Sequence, residues 1–109
     1  MDLGTFSISL AVKDLAAARA FYETLGFSRV AGEPEGGWII LKNGEAKVGL
    51  FQGMFEENLM TFNPKDARAI QEAVTAAGYA LEKEAEEGEG ATHFMVKDPD
   101  GNLVLVDQH

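Results

Sequence analysis

The residues best suited to acid–base or metal chemistry lie near the C-terminus of this chain. Asp107 and His109 share one face of an expected terminal strand, and the other histidine, His93, lies in the strand-like stretch THFMVK. Carboxylate and imidazole groups transfer protons and bind divalent cations. The alternative for Asp107 and His109 is a solvent-exposed pair, because chain termini are often frayed. The alternative for His93 is a packed or hydrogen-bonded side chain.

Composition excludes several classes of function. The 109 residues, 46% of them hydrophobic, predict one folded domain over residues 1–109. The absence of cysteine excludes disulfides, thiolate catalysis and cysteine-based metal sites. A net charge of -9 argues against nucleic-acid partners and anionic membrane surfaces. With no membrane-length apolar run and no visible signal segment, we expect a cytoplasmic protein with no membrane partner.

Two stretches with helical periodicity repeat at a fixed spacing. Residues 14–25 and 66–77 each begin with Asp and end before Gly, as helix-capping preferences predict. Both the Asp pair (14 and 66) and the Gly pair (26 and 78) lie 52 positions apart, and the same offset pairs Ser9 with Thr61. We infer two copies of one module, at about residues 5–53 and 58–108, with a short linker between them. A generic α+β sandwich without duplication is the alternative.

Three strand-like stretches follow each helix. They lie at residues 27–33, 37–42 and 46–52 in the first module, and at residues 79–87, 92–97 and 103–108 in the second. Asn-Gly at 43–44 and Asp-Gly at 100–101 predict tight hairpin turns. A stretch of alternating polarity at residues 6–12 and another at residues 59–63 predict a strand before each helix. Each module therefore reads βαβββ, in the α+β fold class. The first helix carries an apolar stripe from Leu15 to Leu25, which we expect to cover the apolar face of its sheet.

The acidic segment LEKEAEEGEG, residues 81–90, is expected to be the solvated arm of a hairpin. A cation site is the alternative interpretation.

The sequence resembles the vicinal oxygen chelate superfamily, which includes glyoxalase I, bleomycin-resistance proteins, extradiol dioxygenases and methylmalonyl-CoA epimerase. The resemblance is carried by D-L-x-x-x-x-x-F-Y-x-x-L-G-F at residues 14–27 together with DPDGN at residues 98–102, and it covers Phe6 to Val106. It implies tandem βαβββ modules that form a half-open, barrel-like sheet with the helices outside. It also implies a ligand cavity between the modules, faced by Ser7, Ser9, Thr61 and Leu105.

The same resemblance implies positions for a divalent metal, which in metal-dependent relatives is held by His, Glu or Gln. Here Ser7 and Leu59 stand at the histidine positions, and Leu105 stands at the carboxylate position. The matching strand of the first module offers only Gln52. Hydroxyl and aliphatic groups do not hold a divalent ion in water. We therefore expect no metal cofactor; a displaced site at Asp107, His109 and Gln52 is the alternative.

A metal-free cavity of mixed polarity suits a small organic ligand. The leading hypothesis is a small-molecule-binding protein similar to the bleomycin-resistance branch. One alternative is a glyoxalase-like lyase or isomerase with a displaced or lost metal site, and another is a dimeric interaction module; a homodimer is expected. The expected ligand-binding residues are Ser7, Ser9, Trp38, Gln52, Leu59, Thr61, Leu105 and Asp107.

Two features near this cavity have more than one interpretation. The only tryptophan, Trp38, could line the cavity or belong to the core. The segment GMFEEN, residues 53–58, could be a linker, a cap on the core or a dimer partner, or a lid that Gly53 allows to move.

Overall fold

The computed structural model describes all residues from 1 to 109 and divides them into two compact units. The first unit comprises Ser7–Asn58, and the second comprises Met1–Phe6 together with Leu59–His109. The elements follow the order βαβββ twice along the chain. This order confirms the α+β class and the duplicated arrangement of elements that the sequence predicts.

The first unit contains one helix and a sheet with strand order β2-β3-β4-β1. Strand β1 is parallel to β4, and the other two neighbouring pairs are antiparallel. A short 3₁₀ turn at Pro34–Gly36, which the sequence did not predict, joins β2 to β3. The elements are β1 (Thr5–Val12, whose first two residues group with the second unit), α1 (Leu15–Thr24), β2 (Ser28–Glu33), β3 (Trp38–Asn43) and β4 (Ala46–Gln52).

The second unit repeats this arrangement with strand order β5-β8-β7-β6. Strand β5 is parallel to β8, and the remaining neighbours are antiparallel. The elements are β5 (Leu59–Asn63), α2 (Ala67–Ala76), β6 (Leu81–Lys83), β7 (Thr92–Lys97) and β8 (Leu103–Gln108). Neither helix of the chain is long and apolar enough to cross a membrane.

Each helix begins where the sequence predicts. The Asp14 carboxylate accepts a hydrogen bond from the Ala17 amide at 3.1 Å, and the Asp66 carboxylate accepts one from the Ala69 amide at 3.0 Å. These bonds satisfy amides that have no partner within the first turn of a helix. After each helix a glycine adopts positive φ, 94° at Gly26 and 96° at Gly78, which ends the helix at low cost.

Each helix packs on one face of its own sheet and forms a separate apolar core. In the first unit the buried core is Leu15, Ile39, Leu41 and Leu50. In the second unit it is Ala67, Ile70, Phe94 and Val106. The apolar stripe predicted for the first helix includes one residue that does not join the core. Leu25 is 55% exposed, because it lies at the C-terminal end of α1.

The acidic segment differs from the sequence expectation. Strand β6 ends at Lys83, and the predicted strand over residues 79–87 does not form at its full length. Instead, side chains form hydrogen bonds with the backbone of Ala85, Glu86 and Gly90. Gln71 accepts from the Ala85 amide at 2.6 Å, Thr92 accepts from the Glu86 amide at 2.9 Å, and Arg68 donates to the carbonyls of Glu86 and Gly90 at 2.7 and 3.1 Å. These bonds replace the ladder that a longer strand would need.

The DPDGN turn holds Asp98 in its ionised form. The Asp98 carboxylate accepts hydrogen bonds from the Asn102 side chain at 2.8 Å, from the Asn102 amide at 2.8 Å and from the Asp100 amide at 2.9 Å. These bonds, that of the Asn102 side chain first, lower the pKa of Asp98 from its usual value of 3.8. A carboxyl whose pKa is lower in the folded state stabilises the fold above its ordinary pKa, and this contribution is lost as the pH falls through the folded pKa.

Replacing Asn102 with Ala removes the largest cause of this shift. We expect the pKa of Asp98 to rise toward its ordinary value and the acid-sensitive part of stability to move to higher pH. Carboxyl NMR titration of the wild type and the variant measures the pKa of Asp98, and urea denaturation at a series of pH values measures the change in stability. An unchanged Asp98 titration in the variant would show that the backbone amides alone account for the shift.

Candidate functional site

The face of the first sheet opposite α1 carries a group of aromatic rings. Because neighbouring strand residues alternate between faces, Leu10 and Leu50 point toward the helix, and Ser9, which is paired with Gly49, points away from it. Trp38 is paired with Phe51 on the same side as Ser9. We call this surface the aromatic face; its residues are Ser7, Ser9, Trp38, Ile40, Gly49 and Phe51, together with Phe55 just beyond β4.

The rings of the aromatic face are ordered and partly exposed. The Trp38 and Phe51 rings are nearly parallel, with planes 3° apart and centroids 6.1 Å apart. Phe55 contacts Phe51 at a centroid distance of 5.2 Å. A Cβ atom on Gly49 would lie 2.6 Å from Cε2 of Phe51. The Phe51 ring therefore lies over Gly49, in space that the side chain of any other residue would occupy. The result is a flat apolar surface to which a planar molecule can stack.

The serine hydroxyls at this face are less accessible than the rings. Ser7 and Ser9 are each only 5% exposed, whereas Trp38 and Phe51 are partly exposed. The structure therefore brings Ser7, Ser9 and Trp38 to one face, on which the rings are the more exposed part. Gly49 was not among the predicted residues. The signal that could have found it is the alternation along AKVGLFQ, which sets Gly49 and Phe51 on one side and Val48, Leu50 and Gln52 on the other.

The structure corrects the expected position of Gln52. Its side chain lies on the helix side of β4, and its Oε1 accepts a hydrogen bond from the Leu15 amide at 2.8 Å. Gln108 plays the same role in the second unit, where its Oε1 accepts from the Ala67 amide at 2.8 Å. The physical reason is the strand period of two, which puts Gln52 on the opposite face from Ser9. Gln52 therefore holds the start of α1.

The segment at residues 53–58 begins directly after β4 and is attached to β1 at its last residue. Gly53 adopts φ of 78° directly after β4, and the Asn58 side chain accepts a hydrogen bond from the Ala11 amide at 3.0 Å. Between these points, Phe55 packs on Phe51. Met54 is 51% exposed, so it does not cap a core within this unit.

In the second unit, four of the predicted residues share the sheet face opposite α2. Thr61 is directly paired with Leu105, and Leu59 is paired with Leu103. His93 and Asp107 are paired across β7 and β8, which places them on this face as well. Leu59 and Thr61 are buried, and Leu105 and Asp107 are half-buried.

A polar pocket lies at one end of this face. It has a volume of about 190 Å³ and is lined by Lys83, Glu86, Ala91, Thr92, His93, Asp107, Gln108 and His109. His93, Asp107 and His109 were candidates from the sequence, but Lys83 was not. Lys83 pairs with Met95 after a register shift in β6, and no local sequence pattern indicates such a shift.

Asn63 holds the end of the chain beside the polar pocket. Its Nδ2 donates to the Asp107 carbonyl at 2.9 Å and lies 3.2 Å from Nε2 of His109. The terminal strand is therefore attached to β5, and Asp107 is half-buried rather than frayed and exposed.

The donors at the expected metal positions do not fit a divalent cation. Ser7 and Leu59 are buried hydroxyl and aliphatic side chains, Leu105 is aliphatic, and the Gln52 oxygen is bonded to the Leu15 amide. No group of three or more His, Cys, Asp or Glu side chains is placed to hold a metal ion. Divalent cations need several oxygen, nitrogen or sulfur ligands converging on one point.

A family model identifies the superfamily to which the chain belongs. The family model of the Glyoxalase/Bleomycin resistance protein/Dioxygenase superfamily matches residues 5–106. No curated protein matches the sequence.

Solved structures share the fold at low sequence identity. A superfamily member from Vibrio splendidus 12B01 is 20% identical, with a TM-score of 0.72, over 95% of this chain and 97% of that chain. A methylmalonyl-CoA epimerase from Streptomyces coelicolor is 19% identical, with a TM-score of 0.70, over 98% of both chains. A structure described as an NAD-dependent benzaldehyde dehydrogenase from Legionella pneumophila is 15% identical, with a TM-score of 0.74, over 94% of this chain and 97% of that chain.

Replacing Gln52 with Ala tests its role at the start of α1. Loss of the hydrogen bond to the Leu15 amide should lower the free energy of unfolding by about 1 kcal/mol, measured by urea denaturation. The matched variant Gln52→Glu keeps an acceptor and adds a negative charge at a helix N-terminus, so its stability should equal or exceed that of the wild type. If Gln52→Ala were as stable as the wild type, Gln52 would have no structural role and would return to the set of candidate ligand contacts.

Proposed function

Because the chain belongs to the glyoxalase/bleomycin resistance protein/dioxygenase superfamily, we propose that it is a small-molecule-binding protein whose ligand stacks on the aromatic face of the first unit. The observation that supports this function best is the parallel, partly exposed pair of Trp38 and Phe51. Ligand sites are mostly apolar and aromatic, with few polar groups to fix orientation. The serines on the same face, although almost buried, would be the nearest hydroxyls.

A planar, conjugated group is the ligand feature that this surface fits best. The Trp38 and Phe51 rings are already parallel, so a third ring could stack on them without reorganising the site. Phe55 is tilted by 45° to Phe51 and would contact one edge of the bound ligand. Burial of apolar ligand area against these rings supplies most of the affinity in this proposal.

The charge of the chain favours neutral or cationic ligands. The net charge is -9, and Glu56 and Glu57 are exposed directly after Phe55. A negative potential raises the local concentration of cations and lowers that of anions. Aromatic faces also attract cations, so a planar cation would gain from both effects.

We propose that binding proceeds without a metal ion. The side chains at the family's metal positions supply no carboxylate or imidazole, and the one amide oxygen among them is bonded to the start of α1. Orientation of the ligand would then depend on stacking and on hydrogen bonds alone.

Titration of Trp38 fluorescence tests the proposed site, because Trp38 is the only tryptophan. We expect saturable changes in emission with planar aromatic compounds, bleomycin among the panel, and larger affinities for cationic than for anionic members. Replacing Phe51 with Leu should weaken binding about fivefold, since an aromatic pair contributes about 1 kcal/mol beyond its buried area. Calorimetry on the same variants gives the affinity independently of the fluorophore.

The matched control is Phe21→Leu, which changes an exposed phenylalanine on α1. Its affinity for every compound should equal that of the wild type. Binding that survives Phe51→Leu unchanged would remove the aromatic face from the proposal. A panel that produces neither emission changes nor heat at millimolar concentrations would remove small-molecule binding at this face altogether.

Calorimetric titration with Ni²⁺, Zn²⁺, Mn²⁺ and Co²⁺ tests the metal-free part of the proposal. We expect no binding stronger than about 1 mM, which corresponds to about 4 kcal/mol. Micromolar binding of one ion per chain, lost in Asp107→Ala, would contradict a metal-free mode and would favour a glyoxalase-like lyase or isomerase with a displaced metal site.

A further inference from the structure

The polar pocket of the second unit contains charges of both signs that do not pair with each other. Lys83 contributes an ammonium group, and Asp107 and Glu86 contribute carboxylates. The two ion pairs of the chain, Arg19 with Glu23 and Lys97 with Glu82, involve none of these residues. Within the chain, the Lys83 ammonium makes only a long hydrogen bond of 3.5 Å, to the Glu84 carbonyl.

Asp107 is the most constrained of these charges. Asn63 donates a hydrogen bond to its backbone carbonyl, and its half-buried side-chain carboxylate makes no hydrogen bond or ion pair within the chain. His93 lies directly opposite on β7 and is also half-buried, and its imidazole likewise makes no hydrogen bond or ion pair within the chain. A partly desolvated carboxylate gains more from a positively charged partner than an exposed one does.

We propose that this pocket binds a small zwitterion, a molecule that carries one ammonium and one carboxylate group, as a free amino acid does. Asp107 receives the ammonium group of the ligand, and Lys83 receives its carboxylate. The imidazoles of His93 and His109 line the same space and can donate or accept hydrogen bonds. Opposite charges on the ligand thereby match the unpaired opposite charges on the protein.

The size of the pocket limits the ligand. Its volume of about 190 Å³ is several times the 30 Å³ or so that one water molecule occupies in the liquid. It is smaller than the roughly 300–1,000 Å³ of sites that hold drug-sized molecules. An amino acid with a short side chain fits this range. This site lies in the second unit and does not depend on the stacking site proposed for the first.

NMR titration of the His93 and His109 imidazole resonances tests the proposal, with glycine, acetate and methylammonium as the probes. Glycine carries both charges, and each of the other two carries one. We expect a saturable shift with glycine and an affinity at least about tenfold weaker for acetate and for methylammonium. Shifts of equal size and midpoint for all three probes would show general charge screening and would overturn the proposal, as would the absence of a saturable shift with glycine.

Matched variants locate the two charges. Asp107→Asn and Lys83→Met should each weaken glycine binding about tenfold, because each removes one of the two proposed contacts. Asp100→Asn and Lys42→Met change exposed residues outside the pocket and should leave the affinity unchanged. Equal losses in the control pair, or unchanged affinity in the pocket pair, would contradict the assignment. Trp38 emission and urea denaturation of each variant verify that the chain remains folded.

Discussion

The packing of each helix on one face of its own sheet is the constraint on which the functional surfaces depend. Leu15 of α1 and Ile70 of α2 are buried against their sheets, and the strand residues that point toward them form the two apolar cores. Because side chains alternate along a strand, the choice of a core face also decides which residues point the other way. A shift of one residue in β4 would exchange Gly49 and Phe51 for Leu50 and Gln52 on the aromatic face.

One hydrogen bond in each unit ties the last strand to the start of the helix. Gln52 and Gln108, the final residues of β4 and β8, accept from the Leu15 and Ala67 amides. Helix N-termini leave amides without partners, and a side-chain oxygen at that point both satisfies one amide and favours the positive end of the helix dipole. The two units therefore solve the same structural problem with the same residue type. Gln52, which the sequence offers as a possible metal ligand, instead binds the first amide of α1.

The two uncovered surfaces offer different physical means of recognition. The aromatic face presents rings and almost no accessible polar atoms, so affinity there would come from buried apolar area and from ring stacking. The polar pocket presents unpaired charges, so affinity there would come from charge complementarity, limited by the cost of removing water from the ions. A ligand suited to one surface is therefore poorly suited to the other.

The amino-acid sequence by itself determined the duplicated βαβββ order, both helices to within one residue at each end, and the strands at residues 46–52, 92–97 and 103–108. These features follow from local causes: Asp caps, glycine at helix ends, alternation of apolar residues, and tight Asp-Gly and Asn-Gly turns. The superfamily, too, was identified from local motifs. Tertiary structure alone decided three other features. The segment after β6 is held by the side chains of Arg68, Gln71 and Thr92 rather than by a strand partner. Gln52 binds the first amide of α1, and Lys83 lines one pocket with His93 and Asp107. Each of these outcomes depends on contacts between residues far apart in the chain or on a register shift, and local periodicity carries no information about either.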